Sequence, residues 1–255
     1  LGPRFEDQWR TRFEEFADLR DDDAGIAGWT ATGLDARVRR FLGLWQSGEP
    51  GRRWLDAGCG AGTYIRILLR HGHQVVGVDY SLPTLRKAAA RGLDGAAFAV
   101  ADVRRLPFGQ EQFDGVLCFG VTQALEQSEP AVRELARLLK PGGQLWIDAL
   151  NGWCLIHALG ALRRRALGGA RHLRYESPER VKRLCKECGF TDVRLHWMPI
   201  MPRHSHGLQR AIEARPMARM LAGTPLLGAL VSHAFIIQAT KRDRATDPGA
   251  SQPSA

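Results

Sequence analysis

Three glycines, Gly58, Gly60 and Gly62, alternate with small residues in "WLDAGCGAGTYIRIL", directly after an apolar run. A strand that feeds such a turn into a helix offers backbone N–H groups and the positive end of the helix to a ligand. Glycine suits the turn because a side chain would hold the ligand off the backbone. The turn alone fits a dinucleotide, a bare phosphate or a nucleoside with a charged tail. Three acids narrow the choice. Asp79 closes "VVGVD", 17 residues after Gly62, where a carboxylate can accept from both hydroxyls of a ribose. Asp102 follows in "VADVRRLPF", 23 residues further on. Its carboxylate can accept from an adenine amino group while the Val103 N–H donates to a ring nitrogen. Asp56 ends the first apolar run; it would repel a pyrophosphate and attract a cation. The glycine spacing, G-x-G-x-G, also departs from the G-x-G-x-x-G of dinucleotide sites. Together these residues favour S-adenosylmethionine, with its carboxylate toward the helix and its sulfonium and ammonium toward Asp56. A NAD oxidoreductase is the disfavoured alternative.

The elements that must hold these residues are visible as a change of rhythm. Apolar runs alternate with helical stretches in "RWLDAG", "TYIRILLRHG", "QVVGVDYS", "PTLRKAAARG", "AAFAVADVRRLPF", "FDGVLCFG", "PAVRELARLLKPGG" and "QLWIDAL". Repeated strand–helix units predict a parallel sheet with helices on both faces and right-handed crossovers. Before them, residues 4 to 45 are expected to be helical. Phe5, Trp9, Phe13 and Phe16 recur at spacings of four, four and three, "DDDAG" ends that helix, and a second is expected from about Asp35 to Trp45. After the core, 151–174 is Gly- and Arg-rich and reads as an insertion. "SPERVKRLCKECGF" predicts a helix with a Ser177 cap, Pro178 at its first position and a Gly189 stop. "TDVRLHWMPI" and "SHAFIIQATKR" predict two last strands, separated by a second insertion over 201–231 that is long for a hairpin. Residues 243–255 read as a disordered tail. The expected organisation is thus one domain over 1–242: an N-terminal helical lid (1–45), a ligand-binding core (50–150) and two insertions over the acceptor side.

With "LDAGCGAG", "VVGVDYS", "ADVRRLPF", "FDGVLCFG" and "LLKPGGQLWI" in this order, residues 50 to 150 resemble the core of the class I S-adenosylmethionine-dependent methyltransferases. The resemblance is strongest to the subgroup acting on small molecules. It implies an α/β, Rossmann-like sheet of seven strands with the last antiparallel, and S-adenosylmethionine as cofactor. It places Asp56, Gly58, Gly60 and Gly62 around the methionine end, Asp79 on the ribose and Tyr80 against the adenine. Asp102 and Val103 would read the adenine edge, with Phe119 and Gly120 near the sulfonium. Tyr64, Trp9, Phe13 and Trp29 are candidates to cover the cofactor or simply to pack.

Methyl transfer from a sulfonium can run on proximity and water exclusion, with a general base optional. "CFGVTQALEQ" after the fourth strand lacks both the Asn/Asp-Pro-Pro-Tyr of planar-amine methylation and the Pro-Cys of cytosine chemistry. Nor does it carry the His found there in many small-molecule relatives. The remaining candidates are Gln123, which could only orient an acceptor, His157 and Tyr175, followed by His196, His204 and His206. No metal is expected, because "RHSH" shows no third ligand nearby and Cys185/Cys188 form a lone C-x-x-C.

Five cysteines fit a reducing, cytoplasmic setting without a disulfide framework. The opening lacks a signal-peptide layout, and no apolar run reaches the roughly 18–20 residues of a membrane span. The net charge is +9. Arg163, Arg164, Arg165, Arg171, His172 and Arg174, with Arg203, Arg210, Arg215 and Arg219, could form a basic rim. Such a rim implies an anionic or lipid-linked small-molecule acceptor, or contact with an anionic membrane through "MLAGTPLLGALV". The charge also keeps RNA methylation open, although no RNA-binding motif is present; DNA is not expected. A cofactor-binding scaffold without catalysis is the remaining alternative.

Overall fold

Along the central strands, neighbouring residues feed two different cores, as the period of two requires. Leu55, Val116, Leu145, Ile147, Phe235 and Ile237 join one core; Trp54, Leu117, Trp146 and Ile236 join the other. A sheet that is apolar on both faces must be covered on both. In the computed structural model, which describes residues 5–168, 173–199 and 206–243, it is. The strands are β1 (Arg53–Ala57), β2 (Gln74–Asp79), β3 (Ala96–Val100), β4 (Phe113–Cys118), β5 (Leu139–Leu150), β6 (Phe190–Met198) and β7 (Ala234–Lys241). They form one seven-stranded sheet in the order β3-β2-β1-β4-β5-β7-β6. The first five strands pair in parallel, and β7 is antiparallel to both β5 and β6. This is the expected fold, last strand included.

Among the helices, α1 (Phe5–Leu19), α2 (Asp23–Ile26) and α3 (Ala31–Leu44) precede the sheet, and α4 (Thr63–Arg70), α5 (Leu82–Ala89) and α6 (Glu129–Leu138) alternate with the parallel strands. The later helices are α7 (Leu155–Ala166), α8 (Pro178–Glu187), α9 (His206–Glu213), α10 (Arg215–Gly223) and α11 (Pro225–Val231). Phe41 of α3, Ile65 and Leu68 of α4 and Leu85 of α5 fill one core; Val132 and Leu135 of α6 and Val181 and Leu184 of α8 fill the other.

The N-terminal segment departs from expectation in its boundaries. "DDDAG" does not simply end a helix: Asp22 caps α2 by accepting from the Gly25 N–H at 2.7 Å. The next helix starts at Ala31, not Asp35, because the Thr30 hydroxyl accepts from the Gly33 N–H at 3.0 Å and supplies a cap upstream. The first insertion is mostly helical, as α7, and the second carries α9 to α11. Ser177 caps α8 as its sequence predicts. The tail beyond Asp243, together with Arg171, His172, Arg203 and His204, lies outside the described residues.

No described helix is long and apolar enough to cross a membrane.

Candidate functional site

Two cavities open at the carboxyl ends of the parallel strands, where a doubly wound sheet leaves its crevice. The first is lined by Gly58, Gly60, Asp79, Tyr80, Asp102 and Val103, with Phe119 and Gly120 on the β4 side. Eight of the ten residues expected around a cofactor therefore stand on one wall. Asp56 and Gly62 do not. Asp56 lies directly beneath the Ala57–Gly58 stretch of the wall, fully buried. Gly62 adopts a left-handed conformation (φ +83°), and a Cβ there would lie 2.5 Å from Leu93. Its missing side chain leaves room for Leu93 beside the start of α4.

The glycine turn works differently from the expectation that its N–H groups face the ligand. Gly58 and Cys59 both donate to the Val78 carbonyl, at 2.7 and 2.9 Å, and Gly62 donates to Cys59 at 2.9 Å. Gly60 donates to the Asp79 carboxylate at 3.1 Å. Those donors are spent on holding the turn and aiming Asp79. What the turn offers is bare surface: a Cβ at Gly60 (φ +52°) would meet nothing within 4 Å. Gly58 is bare for a second reason, since its Cβ would lie 2.2 Å from Val121 after β4.

The acids differ in state. Burial pushes the Asp79 carboxyl up, partly offset by N–H bonds from Ser81 (2.9 Å) and Gly60. Burial, with the nearby Asp79 carboxylate adding to it, pushes Asp56 up to about 8. Asp56 Oδ2 is buried without a hydrogen-bond partner. Two buried carboxyls, one orphaned, make a well-formed receptor for a positively charged group. Asp102 is the partial disagreement. Burial pushes it up, but the Arg104 guanidinium and N–H outweigh that and hold it below the usual range. Arg104 grips both Asp102 oxygens, at 3.0, 3.1 and 2.6 Å. Much of the acceptor capacity expected to face adenine is thus already used by Arg104.

The N-terminal helices lie against this cavity through contacts no local sequence pattern announces. Arg104 also donates to Glu6 of α1 at 2.9 Å. Asp23 of α2 accepts from Thr63 of α4 and from Arg91. Phe13 meets the Tyr80 ring edge-on at 6.0 Å, and Arg10 lies over the same ring. Trp9 instead belongs to the wall of the second cavity, and Tyr64 packs at 4.7 Å against Phe119 within the core.

The second cavity, about 560 Å³, is lined by residues of α1 and α3, by Leu150, and by Gln123, His157, Tyr175 and His233. All three catalytic candidates of the sequence thus meet in one place. Trp29 belongs to both linings. It fits there because position 120 is glycine, whose Cβ would lie 2.4 Å from the indole. Behind it, Arg37 stacks on the indole at 4.2 Å and pairs with Asp148 at 2.7 Å, both ions buried. Asp148 in turn accepts from the Gly120 N–H at 2.6 Å. Arg37, Asp148 and His233 escaped the sequence reading: the pair is 111 residues apart, and His233 is 76 residues from His157.

His157 is not the free base the sequence allowed. Its Nδ1 lies 2.9 Å from the Asn151 carbonyl, so Nδ1 carries the proton and donates. Its bare Nε2, 3.1 Å from His233 Nε2, must then accept. Both rings are neutral, and the lone pair left over belongs to His233 Nδ1. Burial lowers His157; burial, then His157 and Arg37, lower His233 to about 4. His196 stands on β6, bonded to Gln238 of β7 at 3.2 Å, away from both described linings. Cys154, His157 and His233 also bring three ligand atoms within 4.8 Å of one another, a set suited to zinc-like ions. The expectation of no metal missed this grouping because it was sought around "RHSH". As they stand, the two histidines satisfy each other. Arg174, expected on a basic rim, is buried and bonded to Glu176 at 2.7 Å.

Residues 55–147 match the model of a methyltransferase domain. The chain is 38% identical over 114 residues to "Probable tRNA methyltransferase 9B" of Homo sapiens, covering 44% of this chain and 23% of that protein. It is 35% identical over 108 residues to the "Ubiquinone biosynthesis O-methyltransferase" of Alkalilimnicola ehrlichii, covering 41% and 44%. The chain thus matches less than half the length of these curated relatives. Among solved structures, phosphoethanolamine N-methyltransferase 2 of Haemonchus contortus with S-adenosyl-L-methionine aligns at a TM-score of 0.65 and 19% identity, over 95% of this chain and 61% of that one. The magnesium protoporphyrin IX methyltransferase of Synechocystis with bound S-adenosylhomocysteine aligns at 0.61 and 16%, over 93% and 100%. These two likenesses show the fold.

Proposed function

We propose that the chain is a class I S-adenosylmethionine-dependent methyltransferase, as the match of residues 55–147 to a methyltransferase domain and the strand order support, and that it methylates a small amphipathic molecule held in the second cavity. S-adenosylmethionine, when bound, supplies a methyl group already activated on a sulfonium. Asp79 would hold its ribose, Tyr80 and Val103 its adenine, and Asp56 its positive end. The observation that carries the acceptor reading is the adjacency of the two cavities across Trp29. One has buried acids suited to a cationic nucleoside, the other aromatic and polar walls suited to a separate small molecule.

The chain's own part is positioning and exclusion of water. Trp29, fixed by Gly120 and by Arg37, sets the boundary between the two ligands. Tyr175, ring against His157 at 4.5 Å, and Trp9 offer flat apolar surfaces to an acceptor ring or tail. Gln123 orients a polar group, and His233 Nδ1 accepts from an acceptor hydroxyl. Its lowered basicity makes it an orienting group more than a strong base. An acidic hydroxyl such as a phenol needs no more than that. Similarity to a ubiquinone-pathway O-methyltransferase supports the choice.

RNA is the second reading, favoured by the net charge of +9 and by the similarity to a tRNA methyltransferase. An acceptor cavity walled by residues of α1 and α3 weighs against it. The test is calorimetric titration with S-adenosylmethionine, S-adenosylhomocysteine and NAD, for the chain and for Asp79→Ala. Labelled methyl transfer to a panel of phenolic and carboxylic amphiphiles and to bulk tRNA follows. Binding of the first two ligands, lost in the variant, with label on a small acceptor supports the proposal. Binding of NAD alone would overturn it, and salt-sensitive labelling of tRNA alone would replace the acceptor.

A further inference from the structure

An amphipathic helix normally turns its apolar stripe to the core; α7 turns its stripe to solvent. Leu155, Ile156, Leu159 and Leu162 share one face by the 3.6-residue period, and Ile156 and Leu162 are 69% and 66% exposed. The residue the helix buries is His157, on the opposite face. Arg163, exposed, falls within the stripe between Leu159 and Ile156, and Arg165, exposed, on its flank beyond Leu162, while Arg164 lies inward. The neighbouring α11 packs against α7 and repeats the pattern, with Leu226 74% exposed and Leu230 also outward. Most of the large apolar side chains the described residues leave exposed lie on these two helices and the residues beside them.

Charge identifies the occupant. No Asp or Glu occurs from Asn151 to Tyr175 or from Ala214 to Arg242, in a chain with 27 acids. The surface is therefore apolar with arginines and without a single carboxylate along its two segments. A second copy of the chain would bring the same arginines toward themselves. A lipid surface bearing anionic headgroups satisfies both components, taking the leucines into its acyl boundary and the arginines at its phosphates.

We propose that α7 and α11 together form a docking surface for an anionic membrane. The sequence had suggested the arginine rim of both insertions, with the later apolar segment, for such a role; the structure adds the outward apolar face of α7. The proposal stands apart from the enzymatic reading, because binding to lipid is measured without cofactor or acceptor. Its consequence for that reading is direct, since the same helix presents His157 to the second cavity from its other face.

The experiment is flotation of the full chain with phosphatidylcholine vesicles, with and without phosphatidylglycerol, at low and high salt. The expected result is partition onto the phosphatidylglycerol vesicles, weakened by salt. Leu159→Asp/Leu162→Asp should reduce it by about tenfold or more, and Arg163→Gln/Arg165→Gln by about tenfold on anionic vesicles only. Leu19→Asp, an exposed leucine of α1, should change nothing. Thermal melts of each variant should match the parent, since these side chains are already in solvent. Three results would overturn the proposal: no partition onto anionic vesicles, partition that ignores both double variants, or a dimer in sedimentation that the leucine variants dissolve.

Discussion

Asp56 gives the sharpest test of how the first cavity is built. Its carboxyl is fully buried, one oxygen has no partner, and its folded-state value is raised to about 8 from 3.8. The folded chain therefore holds a proton on Asp56 through a pH range in which the unfolded chain has released it. Stability contributed by this group is fully present below the unfolded value and is lost as pH rises toward 8. One proton of difference corresponds to about 1.4 kcal/mol per pH unit, so raising the pH from 5 to 7 removes about 3 kcal/mol. Asp56→Asn mimics the protonated form in shape and polarity and cannot ionise. The variant and the parent should then melt nearly together below about pH 4, near the unfolded value, and separate progressively through pH 5 and pH 7. At roughly 2–4 °C per kcal/mol for a domain of this size, the variant's lead in melting temperature should widen by about 6–12 °C between pH 5 and pH 7. The same substitution should weaken binding of S-adenosylmethionine, because the cation it would meet is no longer matched by a charge. Binding to the parent at pH 7 should also release a proton, seen calorimetrically as an enthalpy that depends on the buffer; the variant should show no such dependence. Parallel pH–melting curves for the two proteins, or a variant less stable at pH 8, would refute the reasoning.

Other substitutions probe the second cavity and its supports. Arg37→Met leaves Asp148 buried without its cation and should cost about 3–5 kcal/mol in urea unfolding; adding Asp148→Asn should recover part of that loss. Trp29→Ala removes the shared wall, so acceptor KM should rise by about tenfold, equivalent to about 1.4 kcal/mol, with bulkier acceptors newly tolerated. His233→Gln keeps a neutral polar group but loses the ring, and kcat/KM should fall by about tenfold or more while cofactor binding in calorimetry stays unchanged. Because His233 is lowered to about 4, it is neutral across the working range. The pH–rate profile between 6 and 9 should then carry no inflection from it, and one that vanished in His233→Gln would contradict the assignment.

What could be read in advance follows from how local each feature is. The sheet was legible because its signal is repeated: each strand is an apolar run, each crossover an amphipathic helix, and chain order then limits the topology. Asp79, Tyr80, Asp102 and Val103 were legible because a strand's carboxyl end is a fixed point in the sequence, and all such ends share one edge. The glycine turn could be placed from the sequence, but the surroundings of each glycine could not. Sequence shows that a side chain is missing but not what it would have struck, and only coordinates separate Gly60, facing open space, from Gly62, facing Leu93. The acceptor side resisted for a different reason. Arg37 lies on a helix before the core, Asp148 lies near the end of β5, and His233 precedes β7. Each is unremarkable among its neighbours and gains meaning only against a partner about a hundred residues away. The same distance hid Cys154, His157 and His233 as a group, while "RHSH", conspicuous by its spacing, leads outside the described residues. α7 was harder still, because its pattern promises a buried stripe and the fold turns that stripe outward. Where a strong local pattern and the observed burial disagree, the place to look is what the surface meets, and here that conflict falls on the helix whose His157 also lines the second cavity.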